Sequence, residues 1–247
     1  MNQAELAIRR SQLAKSARCF VATGPRSSSE QGPGYRVASS GGPRRRRQHG
    51  RRQRSDPATL ASAVGLVERS GFPTLFMLAG GGRGSDLGAG WKPAGDAPFM
   101  SCWLSGARLR RDCRVREAGF ADFEVVSEII ADAFNLIEPV AQVLTGVLEL
   151  PDTEAKIWLL MDDGRPVATV LTSIVDDAVR GNEGPVHPTW SLSSPPRRGL
   201  SRAHVKGADI GLLVSTTAGK AFYDATGWTT LESWPRFTNA RWAQLAG

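Results

Sequence analysis

Apolar positions recur along the 247-residue chain with two periods, and the pattern is sharp only from residue 56 onward. DPATLASAVGLVERSG (56–71) sets Leu60, Val64 and Val67 on one helical face. Asp56 suits the N-cap, Pro57 the first helical position and Gly71 the stop. PTLFMLA (73–79) predicts a short buried strand, GGGRGSDLGAGW (80–91) a loop, and APFMSCWL (97–104) a further strand. After a junction at 105–114, FADFEVVSEIIADAF gives the clearest helix. Asp122 stands as its N-cap, and Val126, Ile129, Ile130, Ala133 and Phe134 fall at helical spacing. EPVAQVLTGVLEL (138–150) reads as a second helix. KIWLLM (156–161), DDGRP (162–166) and VATVLTSI (167–174) form a hairpin around a glycine-containing turn. GADIGLLVST (207–216) is a buried strand. AGKAFYDATGW (218–228) holds a short helix from Gly219 to Thr226, stopped by Gly227, and TTLESW (229–234) closes as a strand.

Composition changes the picture at one end. The net charge of +7 is unevenly spread: residues 1–54 carry thirteen Lys or Arg against Glu5 and Glu30, while the rest holds eighteen basic and twenty-two acidic residues. That opening segment is rich in Gly, Ser, Pro and Arg, including Arg44–Arg47. Its sparse apolar residues predict disorder beyond a short helix at 4–17. Such a charge block favours a solvated tail over a nucleic-acid contact, which its arginines could also make. Cys19, Cys102 and Cys113 have neither metal-ligand spacing nor the density of a disulfide framework, so reduced thiols and no metal are expected. No stretch approaches the roughly 18 apolar residues of a membrane span. The N-terminus lacks a secretory signal's apolar core, so a cytoplasmic location is expected.

The order from Arg114 onward is strand, two helices, antiparallel hairpin, a broken segment, strand, short helix, strand. Over about residues 113–236 it resembles the GNAT superfamily of N-acetyltransferases. CRVREAGFADFEVVSEIIADAF is similar to the family's first strand and helix, and IWLLMDDGRPVATVLTSI to its second and third strands. TWSLSSPPRRGLSRA (189–203) resembles its coenzyme strand and R-R-G-x-G/A loop, and GLLVSTTAGKAFYDATGWTTLESW its fifth strand, Y-x-x-x-G-W helix and last strand. The resemblance implies an α/β (α+β) fold with a mixed, mostly antiparallel sheet flanked by helices. It also implies acetyl transfer from acetyl-CoA to the amine of a small molecule or peptide. Ser191, Leu192 and Ser193 would bind the pantetheine arm. Arg197, Arg198, Gly199, Ser201 and Arg202 would form the pyrophosphate loop, where backbone N–H groups and positive charge favour an anion. Tyr223 matches the tyrosine that protonates the leaving thiolate, a task suited to a group whose ordinary pKa is about 10. On residues alone, Tyr223 reads equally as a core aromatic beside Phe222 and Trp228.

The other candidates stay open. Thr216 and Thr217 could cap the short helix or line the coenzyme. Asp176 and Asp177 could act as a base or make a turn, and His187 and His204 read as surface residues. The segment 57–104 resembles the later half of a second, degenerate copy, since GWKPAGDAPFM is similar to TGWTTLESW. The expected organisation is therefore a disordered basic arm (1–54), a degenerate α/β half-domain (55–106) and an acetyltransferase domain (107–247). Segment 180–206 departs from the family. RGNEGPVHP replaces a strand, only SRAHVK stands for a loop helix of several turns, and Ser201 occupies a Gly/Ala position. That departure implies weak coenzyme binding, and a non-catalytic relic or binding module is the rival reading.

Overall fold

The computed structural model describes residues 1–21, 28–32, 35–39, 48–52, 57–70, 74–80, 86–104, 114–134, 141–142, 145–149, 155–176, 178–182 and 208–240. One eleven-stranded sheet, in the order β1-β2-β3-β4-β11-β5-β10-β9-β8-β7-β6, runs through it. The strands are β1 (Ser28–Gly32), β2 (Tyr35–Ser39), β3 (Gln48–Arg52), β4 (Thr74–Leu78), β5 (Trp91–Trp103), β6 (Val115–Glu117), β7 (Ala155–Asp162), β8 (Arg165–Val175), β9 (Ala178–Asn182), β10 (Ile210–Val214) and β11 (Thr229–Asn239). Among the described residues four longer helices flank it: α1 (Gln3–Val21), α2 (Pro57–Ser70), α3 (Phe123–Phe134) and α4 (Thr217–Ala225).

The local reasons are those the sequence carries. Asp163 and Gly164 both adopt positive φ (45° and 77°), as the two-residue turn joining β7 to β8 requires. Val126 and Ile130 bury the inner face of α3 against Ile157, Leu159 and Leu171. Ala63, Val64 and Val67 of α2 pack on Phe76 and Leu78 of β4 with Trp91 and Phe237. Asp122 is not the simple N-cap of α3. It ends a 3-10 turn, Phe120–Asp122, and its carboxylate reaches back to the Gly119 N–H at 2.9 Å and to Arg116 at 2.6 and 2.8 Å. Of the expected second helix at 138–150, the described residues 141–142 and 145 are helical and Gly146–Glu149 form a 3-10 turn.

Within the segment 1–54, expected to be disordered, residues 3–21 are helix and 28–32, 35–39 and 48–52 are strands. Helix α1 packs on β8, β9 and β10, and three strands of this segment join the sheet. Leu13 is 1% exposed, in one cluster with Ala178, Ile210, Leu212, Phe99 and Trp234. Arg10 donates to Glu232 of β11 through Nε at 2.8 Å and makes a second, shorter contact through Nη2. Composition misleads here because backbone ladders and the packing of α1 hold the described parts of the segment, and neither needs apolar strands. The cluster Arg44–Arg47 lies outside the described residues.

With these strands in place, the chain shows two repeats of one plan. Each begins with a helix, α1 or α3, and continues into three antiparallel strands, β1-β2-β3 or β7-β8-β9. A fourth strand is then parallel to the third: β3 with β4, and β9 with β10. The last strand of each repeat leaves its own half. β5 pairs with β10, β11 pairs with β4, and β5 and β11 pair with each other from Thr229↔Ser101 to Asn239↔Trp91. Both strands are longer than the pattern predicted. Pro93, Pro98 and Pro235 disguise them in the sequence, and two register shifts in β11 accommodate the irregularity.

A Leu13→Ala substitution is expected to cost about 2–5 kcal/mol in urea unfolding, as for a buried core leucine. A residue on a disordered arm would change stability by no more than about 0.5 kcal/mol. Hydrogen bonds from Arg116 and then Gly119 hold the Asp122 carboxyl below its ordinary pKa. Its stabilisation is therefore full above the unfolded value of about 3.9 and is lost as pH falls through the folded value. Asp122→Asn should lower stability by about 1 kcal/mol at pH 7. The gap to wild type should narrow below about pH 4 in denaturation series run at several pH values.

Candidate functional site

The two strands of the C-terminal parallel pair do not stay together. β9 and β10 pair from Ile210↔Ala178 to Leu212↔Arg180 and then separate. Beyond that point Gly181 and Asn182 pair only with Thr172 and Leu171 of β8, while Leu213 and Val214 pair with Met100 and Phe99 of β5. A fork results at the carboxyl ends of two parallel strands, where open α/β sheets receive ligands. Arg180, Gly181 and Asn182, the first residues of the stretch 180–188 expected to be unsuited to a strand, belong to β9, and 183–188 lie outside the described residues.

Helix α4 starts at Thr217, after Ser215 and Thr216 have left the β10 arm of the fork. Thr216 is its N-cap, accepting from the Gly219 N–H at 3.0 Å, so of its two expected roles capping is the one seen. The Ser215 N–H donates to the Pro98 carbonyl at 2.8 Å, which ties the start of the helix to β5. Gly227, at φ 90°, ends the helix in the left-handed conformation. Thr217 donates from Oγ1 to the Asp96 carbonyl at 3.4 Å.

Tyr223 sits on the sheet-facing side of α4 and is 7% exposed. Its ring meets Trp228 edge-on at 5.5 Å and Phe222 at 5.0 Å. The same cluster contains Leu213 of the fork, Val179 of β9, and Met100 and Cys102 of β5. The structure thus brings Tyr223 to the face of the sheet that flanks one arm of the fork. Ser191, Leu192, Ser193, Arg197, Arg198, Gly199, Ser201 and Arg202 lie outside the described residues, as do Asp177, His187 and His204. Asp176 is a turn residue, φ 55°, paired with Lys15 at 3.0 Å.

On the β8 side, Trp158 donates from Nε1 to Thr172 Oγ1 at 2.8 Å, and both residues are buried. Thr172 stands beside Gly181, the first β9 residue past the parting. Burial raises the pKa of the Cys102 thiol, which keeps it protonated at neutral pH and unsuited to act as a nucleophile. Among the described residues there is no cluster of three or more His, Cys, Asp or Glu able to hold a metal ion, and no helix is long and apolar enough to cross a membrane. Sequence reasoning missed Met100 and Cys102, which reach the site from the other repeat. A linear pattern does not say which strand a buried run will pair with.

No family model and no curated protein sequence matches the chain. Solved structures do. A GCN5-related N-acetyltransferase from Kribbella flavida superposes with a TM-score of 0.65 at 14% identity, covering 94% of this chain and 96% of that one. This protein has the GNAT fold. A GNAT-family protein from Novosphingobium aromaticivorans is similar at a TM-score of 0.62 and 10% identity, over 94% and 98% of the two chains. A tandem GNAT protein from the clavulanic acid biosynthesis pathway matches at 0.52 and 11% identity, over 100% of this chain and 96% of that one. These likenesses extend the GNAT fold over the N-terminal segment as well.

Thr216→Ala is expected to cost about 1 kcal/mol by removing the cap of the helix that carries Tyr223. Thr216→Ser should retain most of it, as read by thermal or urea unfolding of the full chain.

Proposed function

We propose that the protein is an N-acetyltransferase that uses acetyl-CoA as acyl donor and a small-molecule or peptide amine as acceptor. The observation that carries this reading is the fork between β9 and β10, with α4 and Tyr223 beside it. An extended, amide-bearing chain such as pantetheine can add to strand edges that have parted, forming backbone hydrogen bonds on either side. The thioester carbonyl then lies where a neutral amine can attack it. Collapse of the tetrahedral intermediate breaks the C–S bond and expels the thiolate of coenzyme A; a phenol supplies the thiolate's proton and is restored by the proton that the acylated nitrogen loses. Tyr223 is given that role, and Arg197, Arg198, Gly199, Ser201 and Arg202 the pyrophosphate.

A second reading has a specific observation in its favour. Tyr223 is packed among aromatic and aliphatic side chains, as a core residue is, so the fold could bind coenzyme without turning it over.

Titration of the purified chain with acetyl-CoA, followed by a thiol-release assay over a panel of amines, separates the two. The expected outcome is saturable binding and measurable turnover, with Tyr223→Phe lowering kcat by about 10²-fold while leaving the coenzyme Kd in place. Binding without turnover, or turnover that Tyr223→Phe leaves intact, makes Tyr223 a core residue. Absence of binding at millimolar coenzyme removes the acyltransferase reading.

A further inference from the structure

β11 carries a cation that the fold leaves without a counter-ion. Arg236 is partly buried and stands opposite Met77 of β4, on the sheet face that holds Leu13 of α1. Its Nε is shut off from solvent and has no hydrogen-bond partner. Among the described residues, its side chain forms no ion pair either. The shielded arginines of α1 are treated differently: Arg10 closes on Glu232, and Arg9 donates to Gln12. A guanidinium donor taken out of water without an acceptor costs free energy, which a partner from outside the chain would recover.

The surroundings of Arg236 leave room for such a partner. From Asp96 to Pro93, β5 uses one residue more than β11 does from Pro235 to Phe237, and Gly95 in this bulge adopts φ 80°. Arg236 Nη2 lies 3.6 Å from where a Cβ at position 95 would stand. Glycine there both takes the left-handed conformation and leaves the guanidinium uncovered. One step along the ladder, Lys92 stands opposite Thr238, which is two residues from Arg236 and so on the same face. Lys92 is exposed and, among the described residues, is likewise in no ion pair. The acidic residues of the two strands are engaged elsewhere. Glu232 accepts from Arg10 and Trp234, and Asp96 accepts from Ser233.

We propose that Arg236 and Lys92, with Thr238 between them, form a binding site for an oxyanion, the carboxylate or phosphate of a ligand, on the α1 side of the β5–β11 seam. The guanidinium offers a planar fork for two oxygens, and the ammonium adds a point charge beside it. The site lies on the opposite face from Tyr223, because Leu212 and Leu213, adjacent on β10, belong to the clusters of Leu13 and of Tyr223 respectively. Binding there does not require the acyl-CoA reading to hold.

The full-length chain is titrated with inorganic phosphate and, separately, with glutarate, while the arginine Nε–H resonances are followed by heteronuclear NMR. The Arg236 signal is identified by its loss in Arg236→Lys. A saturable shift of that signal with at least one of the two anions is expected. In Lys92→Gln the affinity should weaken about 2–5-fold, as for the loss of one exposed charge contact. A shift with phosphate alone supports a phosphate ligand, with glutarate alone a carboxylate, and with both an oxyanion of either kind. A signal that neither anion moves, or that drifts without saturating, overturns the inference. An affinity that Lys92→Gln leaves unchanged overturns it as well, because the two cations then do not act as one site.

Discussion

The structure depends on the exchange of β5 and β11. Each is the last strand of its repeat, and each completes the sheet of the other. β5 is flanked by β11 and β10, and β11 by β4 and β5, so neither strand presents an open edge along its paired length. The apolar faces follow the same logic. Phe99 and Trp234, one from each repeat, stack at 4.7 Å beneath α1. Removing either repeat would strip the central strand from the other. Folding of the two halves is thereby coupled, despite their separate places in the sequence.

The exchange also explains the fork. β10 is held on one side by β5, which follows it to Val214. β9 is held on the other by β8, which follows it to Asn182. The parallel contact between β9 and β10 rests on only three paired positions, and beyond them each strand keeps its other neighbour. Tyr223 is then placed by residues from both repeats: Leu213 and Val179 from one, Met100 and Cys102 from the other. The site is thus a property of the seam as much as of the C-terminal repeat.

Much of the C-terminal half is legible in the sequence because its signals are local. The Asp163-Gly164 turn, the apolar face of α3 and the stop at Gly227 each need only neighbouring residues to be read. Residues 1–54 hid their strands because QHGRR and SSEQG carry no alternation of apolar and polar positions. What holds such strands is the ladder to a neighbour, which a pattern search does not see. β5 and β11 were shortened by their prolines for the same reason, and the similarity of GWKPAGDAPFM to TGWTTLESW was the one linear trace of the repeat. Around the candidate site, the short helix that carries Tyr223 and the cap at Thr216 were legible. The direction from which Met100 arrives was not, since strand choice is a tertiary outcome.

Helix α1 shows how charge can mislead about order. Arg10 and Arg9 count toward a basic, tail-like segment, yet both are largely shielded from solvent. Arg10 meets Glu232, whose carboxylate also accepts from Trp234 Nε1 at 2.8 Å. Arg9 lies over the Trp103 ring at 5.8 Å and donates to Gln12 at 2.9 Å. Burying an ion pair seldom adds much net stability, but removing one partner leaves a charge stranded at a cost of several kcal/mol. The pair therefore acts chiefly as a constraint on geometry. It fixes α1 over the seam, and through Glu232 it fixes the row of β11 that lies beside Phe99 and, one strand further, Val214 at the mouth of the fork. A segment whose composition reads as dispensable is in this way joined to the strand arm that bounds the candidate site.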